Sequence, residues 1–183
     1  FLFFFYPFMW LKGSEFEDSE IALHHFMQGE FLMNQGNYSL AILEFQDAID
    51  LDPNASTIHV SIAEAYLKLG KIKRSKSHLE IAIDLNPEES EALEILGDMY
   101  IKIKDYENAQ LTFEKLYDIN PLELEYIFAL ADLARIRKEW DVAIKYYIEG
   151  YNTNNAAING LEQALQISIA INNFNKAEEI CEL

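Results

Sequence analysis

The chain has 183 residues, of which half are hydrophobic and a quarter are charged, and it contains only 7 glycines and 4 prolines. This composition predicts an all-α protein, because a many-stranded β fold needs more turn residues and helix-forming residues dominate after residue 20. The 31 acidic side chains outnumber the 14 basic ones and give a formal net charge of −17. That balance argues against nucleic acid as a ligand, since its binding surface needs clustered lysine and arginine.

The chain begins with an aromatic-rich stretch whose first eleven residues carry no charge, and with Lys12 and Gly13 it forms a segment of residues 1–13. This segment is too short to span a membrane as a helix, which takes about 20 residues. Its length is typical of the apolar core of a secretory signal, and small residues follow at Gly13 and Ser14. We therefore expect an exported protein of the periplasm or cell envelope. Alternatively, the segment is a short interfacial anchor or packs on the first repeat. The alternative location of the protein is the cytoplasm. A polar lead-in, 14–21, comes next.

Three prolines, Pro53, Pro87 and Pro121, are spaced by 34 residues, and each ends a similar phrase (AIDLDP, AIDLNP and LYDINP). A fixed period between about 20 and 50 residues indicates a solenoid of repeated units. The period divides residues 22–183 into five units. These units are 22–55, 56–89, 90–123, 124–157 and a shortened 158–183.

Equivalent positions of the five units share chemical character. The eighth position is small in four units, at Gly29, Ala63, Gly97 and Ala131. The twentieth position is small in all five, at Ala41, Ser75, Ala109, Ala143 and Ala177. The twenty-fourth position is mostly bulky, at Phe45, Leu79, Phe113, Tyr147 and Cys181. Small and large side chains at these spacings let neighbouring helices interlock.

Each unit is predicted to contain two helices of about 14 residues. The second helix should end just before the proline, which disfavours helix in its predecessor. The first helix should end where glycine or asparagine can adopt the left-handed conformation, which Asp105 tolerates less well. These ends are Gln35-Gly36-Asn37, Gly70-Lys71, Lys104-Asp105, Lys138-Glu139 and Asn172-Asn173.

These residues resemble the tetratricopeptide repeat family, which has the same period and the same order of small and large positions. The resemblance covers residues 22–183 and implies an all-α, right-handed α-solenoid of helix-turn-helix repeats, four full and a fifth truncated. It also implies that the first helices line a concave groove that binds another protein. The family's frequent tryptophan at the fourth position is replaced here by His25, His59, Leu93, Ile127 and Leu161.

No catalytic or nucleotide-binding motif occurs in the sequence, so we predict no enzymatic activity, no cofactor and no metal site. His24 and His25 are adjacent, and on a helix they point about 100° apart, so they cannot share a metal ion. His59 and His78 belong to different helices of the second unit. The histidines are therefore predicted to be structural or solvent-facing. The lone cysteine, Cys181, excludes an intramolecular disulfide.

In the geometry that the resemblance implies, the fifth and ninth positions of each unit face the groove. The fifth positions are Phe26, Val60, Glu94, Phe128 and Glu162. The ninth positions are Glu30, Glu64, Asp98, Asp132 and Gln166. Family members that grip a C-terminal carboxylate carry lysine and asparagine in these columns. The acidic ninth column therefore argues against a carboxylate ligand.

Two more acidic residues, Glu91 and Glu125, complete the predicted groove. Apolar residues flank it, namely Leu23, Met33, Leu67, Ile101 and Ile136. Such a surface suits a peptide or helix that has apolar anchors with lysine or arginine between them. The alternative is that these columns are acidic only because the whole chain is acidic.

The predicted function is a non-catalytic adaptor that holds a segment of another protein during assembly of a cell-envelope complex. One alternative is the repeat region of a larger enzyme whose catalytic domain lies outside this chain. Another is a structural array that self-associates through an incomplete C-terminal cap, with an exposed apolar face near Ile180.

Overall fold

A computed structural model of the protein describes the backbone of residues 7–183 and the side chains from residue 18 onward. Within that range the chain forms ten α-helices and no strand, so the predicted all-α class is confirmed. The helices are α1 (Pro7–Asn34), α2 (Tyr38–Leu51), α3 (Ser56–Lys68), α4 (Ile72–Leu85), α5 (Ser90–Lys102), α6 (Tyr106–Ile119), α7 (Leu124–Ile136), α8 (Trp140–Thr153), α9 (Ile158–Ala170) and α10 (Phe174–Cys181). None of the helices in this range is both long enough and apolar enough to cross a membrane.

The helix starts repeat with the period of the prolines. The second helices, α2, α4, α6, α8 and α10, begin 34 residues apart at Tyr38, Ile72, Tyr106, Trp140 and Phe174. The first helices from α3 onward also begin 34 residues apart, at Ser56, Ser90, Leu124 and Ile158. The helix pairs are therefore in step with the sequence repeat.

The first helix differs from the expectation of about 14 residues. α1 has 28 residues, and the lead-in 14–21 belongs to the same continuous helix as the first repeat. Proline is favoured at a helix start, and the residues after Gly13 are mostly good helix formers, so nothing in the sequence interrupts the helix before Asn34. The proposed signal or anchor segment lies outside the described residues, apart from the helical backbone of 7–13.

Each first helix ends in the same left-handed turn. The fifteenth residue of every unit has a positive φ, between 60° and 78°, at Gly36, Gly70, Lys104, Lys138 and Asn172. In the third unit the Lys104 amide donates to the Ile101 carbonyl (3.0 Å) and the Asp105 amide donates to the Tyr100 carbonyl (2.9 Å). This is the Schellman pattern of helix termination. The left-handed residue is thus Lys104, and Asp105 caps the next helix, where its side chain accepts from the Asn108 amide.

The chain divides into two compact units, Phe1–Ala92 and Leu93–Leu183. In the first unit α1 packs on α2, α2 on α3, and α3 on α4. Its core includes the fully buried side chains of Ala41, Phe45, Ala48 and Ile62. In the second unit α6 packs on α7, and α7 to α10 pack in succession. The twentieth position is buried in all five repeats, which agrees with the interlocking predicted from the sequence.

Candidate functional site

The second unit contains a cleft of about 410 Å³ that is lined mainly by α5 and α7. Six of its lining residues were predicted from the sequence, namely Asp98, Ile101, Glu125, Phe128, Asp132 and Ile136. The structure adds Phe113, Ala129, Leu133 and Arg135. The structure therefore brings these six predicted residues together around one cleft.

The aromatic ring of Phe128 packs against two glycines. A Cβ atom on Gly150 would lie 2.6 Å from Cε1 of Phe128, and one on Gly160 would lie 3.1 Å from the same atom. The ring also packs at a tilt against Tyr147, with 6.3 Å between the ring centroids. Phe128 is thus closely packed on one side, and its half-buried ring gives the cleft an apolar surface.

One acidic residue of the cleft already has partners within the chain. The Asp132 carboxylate accepts hydrogen bonds from the Tyr147 hydroxyl (2.5 Å) and from Arg135 Nη2 (3.0 Å). Burial and the hydrogen bond to Asp132 raise the pKa of Tyr147 to about 12. Arg135 therefore compensates the charge of Asp132, which the sequence argument had counted as available to a ligand.

Two other acidic residues define the charge of the cleft. Asp98 and Glu125 are exposed, and among the described residues neither carboxylate forms a hydrogen bond or salt bridge. A cationic group of a ligand would meet these two carboxylates first. The cleft thus combines an apolar surface with two accessible negative charges.

Glu94 belongs to the same unit but is already occupied. The Tyr126 hydroxyl donates a hydrogen bond to Glu94 Oε1. Burial and this hydrogen bond raise the pKa of Tyr126 well above its usual range. A ligand could engage the Glu94 carboxylate only by competing with that bond.

In the first unit the structure brings the predicted acidic residues Glu30 and Glu64 close together. The Ser61 hydroxyl donates to Glu30 Oε1 at 2.8 Å. Glu64 is half-buried, and burial together with the negative charge of Glu30 raises the pKa of its carboxyl, although Lys68 acts in the opposite direction. These two carboxylates repel each other, so a cation between them would be favoured.

The apolar residues predicted for the groove of the first unit are not equally accessible. Val60 is only 1% exposed, so its side chain belongs to the core and cannot contact a ligand. It was wrongly assigned to the surface, because the fifth position is buried in this repeat. Phe26 is half-buried and packs on Phe45, with 5.8 Å between the ring centroids. Leu67 is half-buried and Glu91 is exposed.

Two polar pairs occupy equivalent positions between the first and second helices of their repeats. In the first repeat His25 Nδ1 lies 2.8 Å from Glu44 Oε2. In the second repeat His59 Nδ1 lies 3.1 Å from His78 Nδ1. Burial lowers the pKa of both His59 and His78, and the neighbouring His59 lowers that of His78 further. His59 and His78 were expected to be apart because they belong to different helices, but a comparison of the fourth and twenty-third positions of the units would have paired them.

Comparison with known proteins identifies repeats of one family over more than half of the chain. A family model described as "Tetratricopeptide repeat" matches residues 60–123, and a second, described as "TPR repeat", matches residues 29–70. No curated protein matches the chain in sequence.

Solved structures of low sequence identity have the same fold. A crystal structure of MamA is 19% identical, covers 89% of this chain and 93% of its own, and has a TM-score of 0.70. YrrB, described as a TPR protein with an unusual peptide-binding site, is 18% identical over 93% of this chain and 88% of its own, with a TM-score of 0.72. The first TPR of Spaghetti (RPAP3), bound to the HSP90 peptide SRMEEVD, is 24% identical over 66% of this chain and 95% of its own, with a TM-score of 0.60.

Proposed function

The chain belongs to the tetratricopeptide repeat family, and we propose that it is a non-catalytic scaffold that binds a segment of another protein in the cleft of the second unit. The proposed ligand is a peptide or helix that carries apolar anchors beside lysine or arginine. The main support is the cleft itself, whose lining combines the apolar Phe128, Ile101 and Ile136 with the acidic Asp98 and Glu125.

Two physical effects favour this class of ligand. An apolar anchor that enters the cleft removes its own surface and that of the Phe128 ring from water. This burial of apolar surface supplies most of the binding free energy. Lysine or arginine beside the anchor is attracted by Asp98 and Glu125, and the charge of −17 accelerates the approach of a basic partner at low salt.

The charge of the cleft also distinguishes the proposed ligand from the peptide held by the TPR of Spaghetti. That peptide, SRMEEVD, contains three acidic residues. Next to Asp98 and Glu125 such a peptide would place like charges together, which costs binding free energy. The proposed ligand therefore has the opposite charge.

The proposed setting is the assembly of a complex in the cell envelope. This part of the proposal depends on the apolar segment 1–13 acting as an export signal. A fusion of residues 1–21 to alkaline phosphatase, which is active only in the periplasm, tests it. Enzyme activity in whole bacterial cells supports export, and activity at the level of a leaderless fusion contradicts it.

The binding proposal can be tested with defined peptides. Immobilised 15-residue peptides in which leucine or phenylalanine alternates with lysine are probed with the full chain, beside sets in which glutamate replaces lysine or serine replaces the apolar residues. We expect retention of the chain only by peptides that have both lysine and apolar residues. Equal retention by the glutamate set, or none by any set, contradicts the proposal.

Charge-reversal variants locate the binding surface. Asp98→Lys/Glu125→Lys should weaken binding to the lysine peptides by about tenfold or more, because two attractive charges become repulsive. The matched control is Asp118→Lys/Glu178→Lys, which changes the net charge equally at exposed residues of the same unit that do not line the cleft. Ile136→Ser tests the apolar contribution, since this side chain is 42% exposed at the edge of the cleft. If the two double variants lose the same affinity for the lysine peptides, only the overall charge of the chain determines binding.

A further inference from the structure

Three potential metal ligands converge between the first two helices. His25 on α1 and Glu44 and Asp47 on α2 each offer one ligand atom, and these atoms lie within 4.8 Å of one another. The shortest of the separations, 2.8 Å between His25 Nδ1 and Glu44 Oε2, is that of a hydrogen bond. An ion would replace this bond, and the two atoms would move to about 3.3 Å from each other, as two ligands of a tetrahedral ion are. We propose that His25, Glu44 and Asp47 bind a divalent transition-metal ion, with Zn²⁺ as the best match to the donor set.

The chemistry of the three side chains supports this assignment. Zn²⁺ binds imidazole nitrogen and carboxylate oxygen at about 2.0–2.2 Å, and three protein ligands leave a fourth position for water. The two carboxylates neutralise the charge of the ion. Mg²⁺ and Ca²⁺ prefer sites made only of oxygen, so the imidazole favours a transition metal over both.

The packing beneath the ligands fixes their positions. His25 and Glu44 each adjoin a phenylalanine, and those two rings, Phe26 and Phe45, pack against each other. A Cβ atom on Gly29 would lie 2.4 Å from Cε1 of Phe45, so the absence of a side chain there lets α1 and α2 approach closely. The two helices that carry the ligands are therefore packed closely together, so that only side chains need to move when an ion binds.

The ligands differ in how much they must move. The side chains of His25 and Glu44 are 29% and 30% exposed, so they are partly shielded from water yet accessible to an ion. Asp47 is exposed and lies one helical turn after Glu44 on the same face of α2. Its ligand atom lies within 4.8 Å of those of His25 and Glu44.

The second repeat provides an internal comparison. At the positions equivalent to the three ligands it carries His59, His78 and Ile81, so it has two imidazoles but no third ligand. His59 is only 7% exposed. Among the described residues, the three-ligand arrangement at this register is therefore specific to the first repeat.

The test is isothermal titration calorimetry of the full, chelator-treated chain with ZnCl₂ at pH 7.5. We expect one site, and we expect His25→Gln, Glu44→Gln and Asp47→Asn each to lower its affinity by about tenfold or more. Asp47→Asn keeps the test valid if the other variants do not fold, since its side chain is exposed.

The matched controls are His24→Gln and Asp50→Asn, which remove the neighbouring histidine of α1 and the next exposed carboxylate of α2. Both should bind Zn²⁺ like the unaltered chain. The proposal would be overturned if the two controls lost as much affinity for Zn²⁺ as His25→Gln and Asp47→Asn do. Equal losses would show that Zn²⁺ is bound only through the overall negative charge. Loss of binding in His78→Leu with normal binding in His25→Gln would place the ion in the second repeat and would also overturn it.

Discussion

A Cβ atom on Gly97 of α5 would lie 2.8 Å from Cε2 of Phe113 on α6, so the phenylalanine ring fills the space that any larger residue at position 97 would need. These residues are the small eighth position and the bulky twenty-fourth position of one repeat. Gly97→Ala should destabilise the chain by about 1–2 kcal/mol, because overpacking outweighs the gain in helix propensity. Thermal denaturation followed by circular dichroism measures the change.

The double variant Gly97→Ala/Phe113→Leu identifies the cause of that loss. Leucine lacks the outer part of the ring, so the added methyl group no longer clashes. The double variant should therefore be less destabilised than the sum of the two single variants, by more than about 0.5 kcal/mol. Strict additivity would show that Gly97 acts through the backbone and not through Phe113.

A second prediction concerns the twentieth position, where Ala109 is completely buried. Ala109→Leu should destabilise the chain by about 1–3 kcal/mol, since three additional carbon atoms have no space between the helices. Ala170→Leu is the matched control, because Ala170 is exposed at the end of α9 and its replacement should change the melting temperature little. A melting temperature that is unchanged by Ala109→Leu would contradict the packing described for this column.

The repeat could be predicted from the sequence because it depends on local properties. The prolines mark where one repeat ends and the next begins, and small residues such as Ala41 and Ala109 mark where neighbouring helices pack closely. The structure has the helix boundaries and these buried residues where the sequence predicts them. Val60 shows where this reasoning fails. It was assigned to the groove from its place in the repeat, but the sequence of one repeat does not reveal which neighbouring side chains cover it.

The exposure of the terminal repeats was also not predictable from the period. Ile180 was expected to lie on an exposed apolar face, but it is only 3% exposed. Phe31 on α1 is instead 57% exposed, whereas the equivalent Leu133 and Ile167 are buried. In those repeats a preceding helix packs on the first helix, and α1 has no such helix among the described residues. Exposure therefore depends on the neighbouring repeat and not on the residue itself.

The charges of the candidate site could be predicted only in part. The acidic ninth position was evident from the sequence, but a carboxylate's availability depends on side chains that are distant in the chain. Asp132 is engaged by Tyr147, and Glu94 by Tyr126. Neither pair follows from the helical period, because each hydrogen bond joins two different helices.

The left-handed helix ends give a third prediction. Lys138 has a φ of 64°, which strains any residue with a Cβ atom, and its side chain is exposed. Lys138→Gly should stabilise the chain by about 1 kcal/mol, because glycine adopts this conformation without strain. Lys138→Ala is the control, since it removes the same charge but keeps the Cβ atom and should give no stabilisation. If both variants stabilise equally, the charge of Lys138 and not its backbone is responsible.

The fourth prediction concerns the pH dependence of stability and the pair formed by the buried His59 and the half-buried His78. Burial holds the pKa of both rings below 6.5 in the folded chain. As the pH falls below about 6.5, the unfolded chain therefore binds more protons than the folded chain does. The stabilising contribution of the neutral pair is therefore complete above about pH 6.5 and is lost as the pH falls towards the lower pKa values of the folded state. The melting temperature should decrease between pH 7 and pH 5, beyond any effect of the carboxylates.

The variant His59→Leu/His78→Leu isolates this contribution, because leucine cannot be protonated and Leu93 fills the position equivalent to His59 in the third repeat. Its melting temperature should fall less between pH 7 and pH 5 than that of the unaltered chain. His24→Gln, which removes an exposed histidine, should keep the original slope. Carboxylates titrate in all three chains and cancel in the comparison, so equal slopes for the unaltered chain and the double variant would mean that the buried pair does not control the acid sensitivity of the fold.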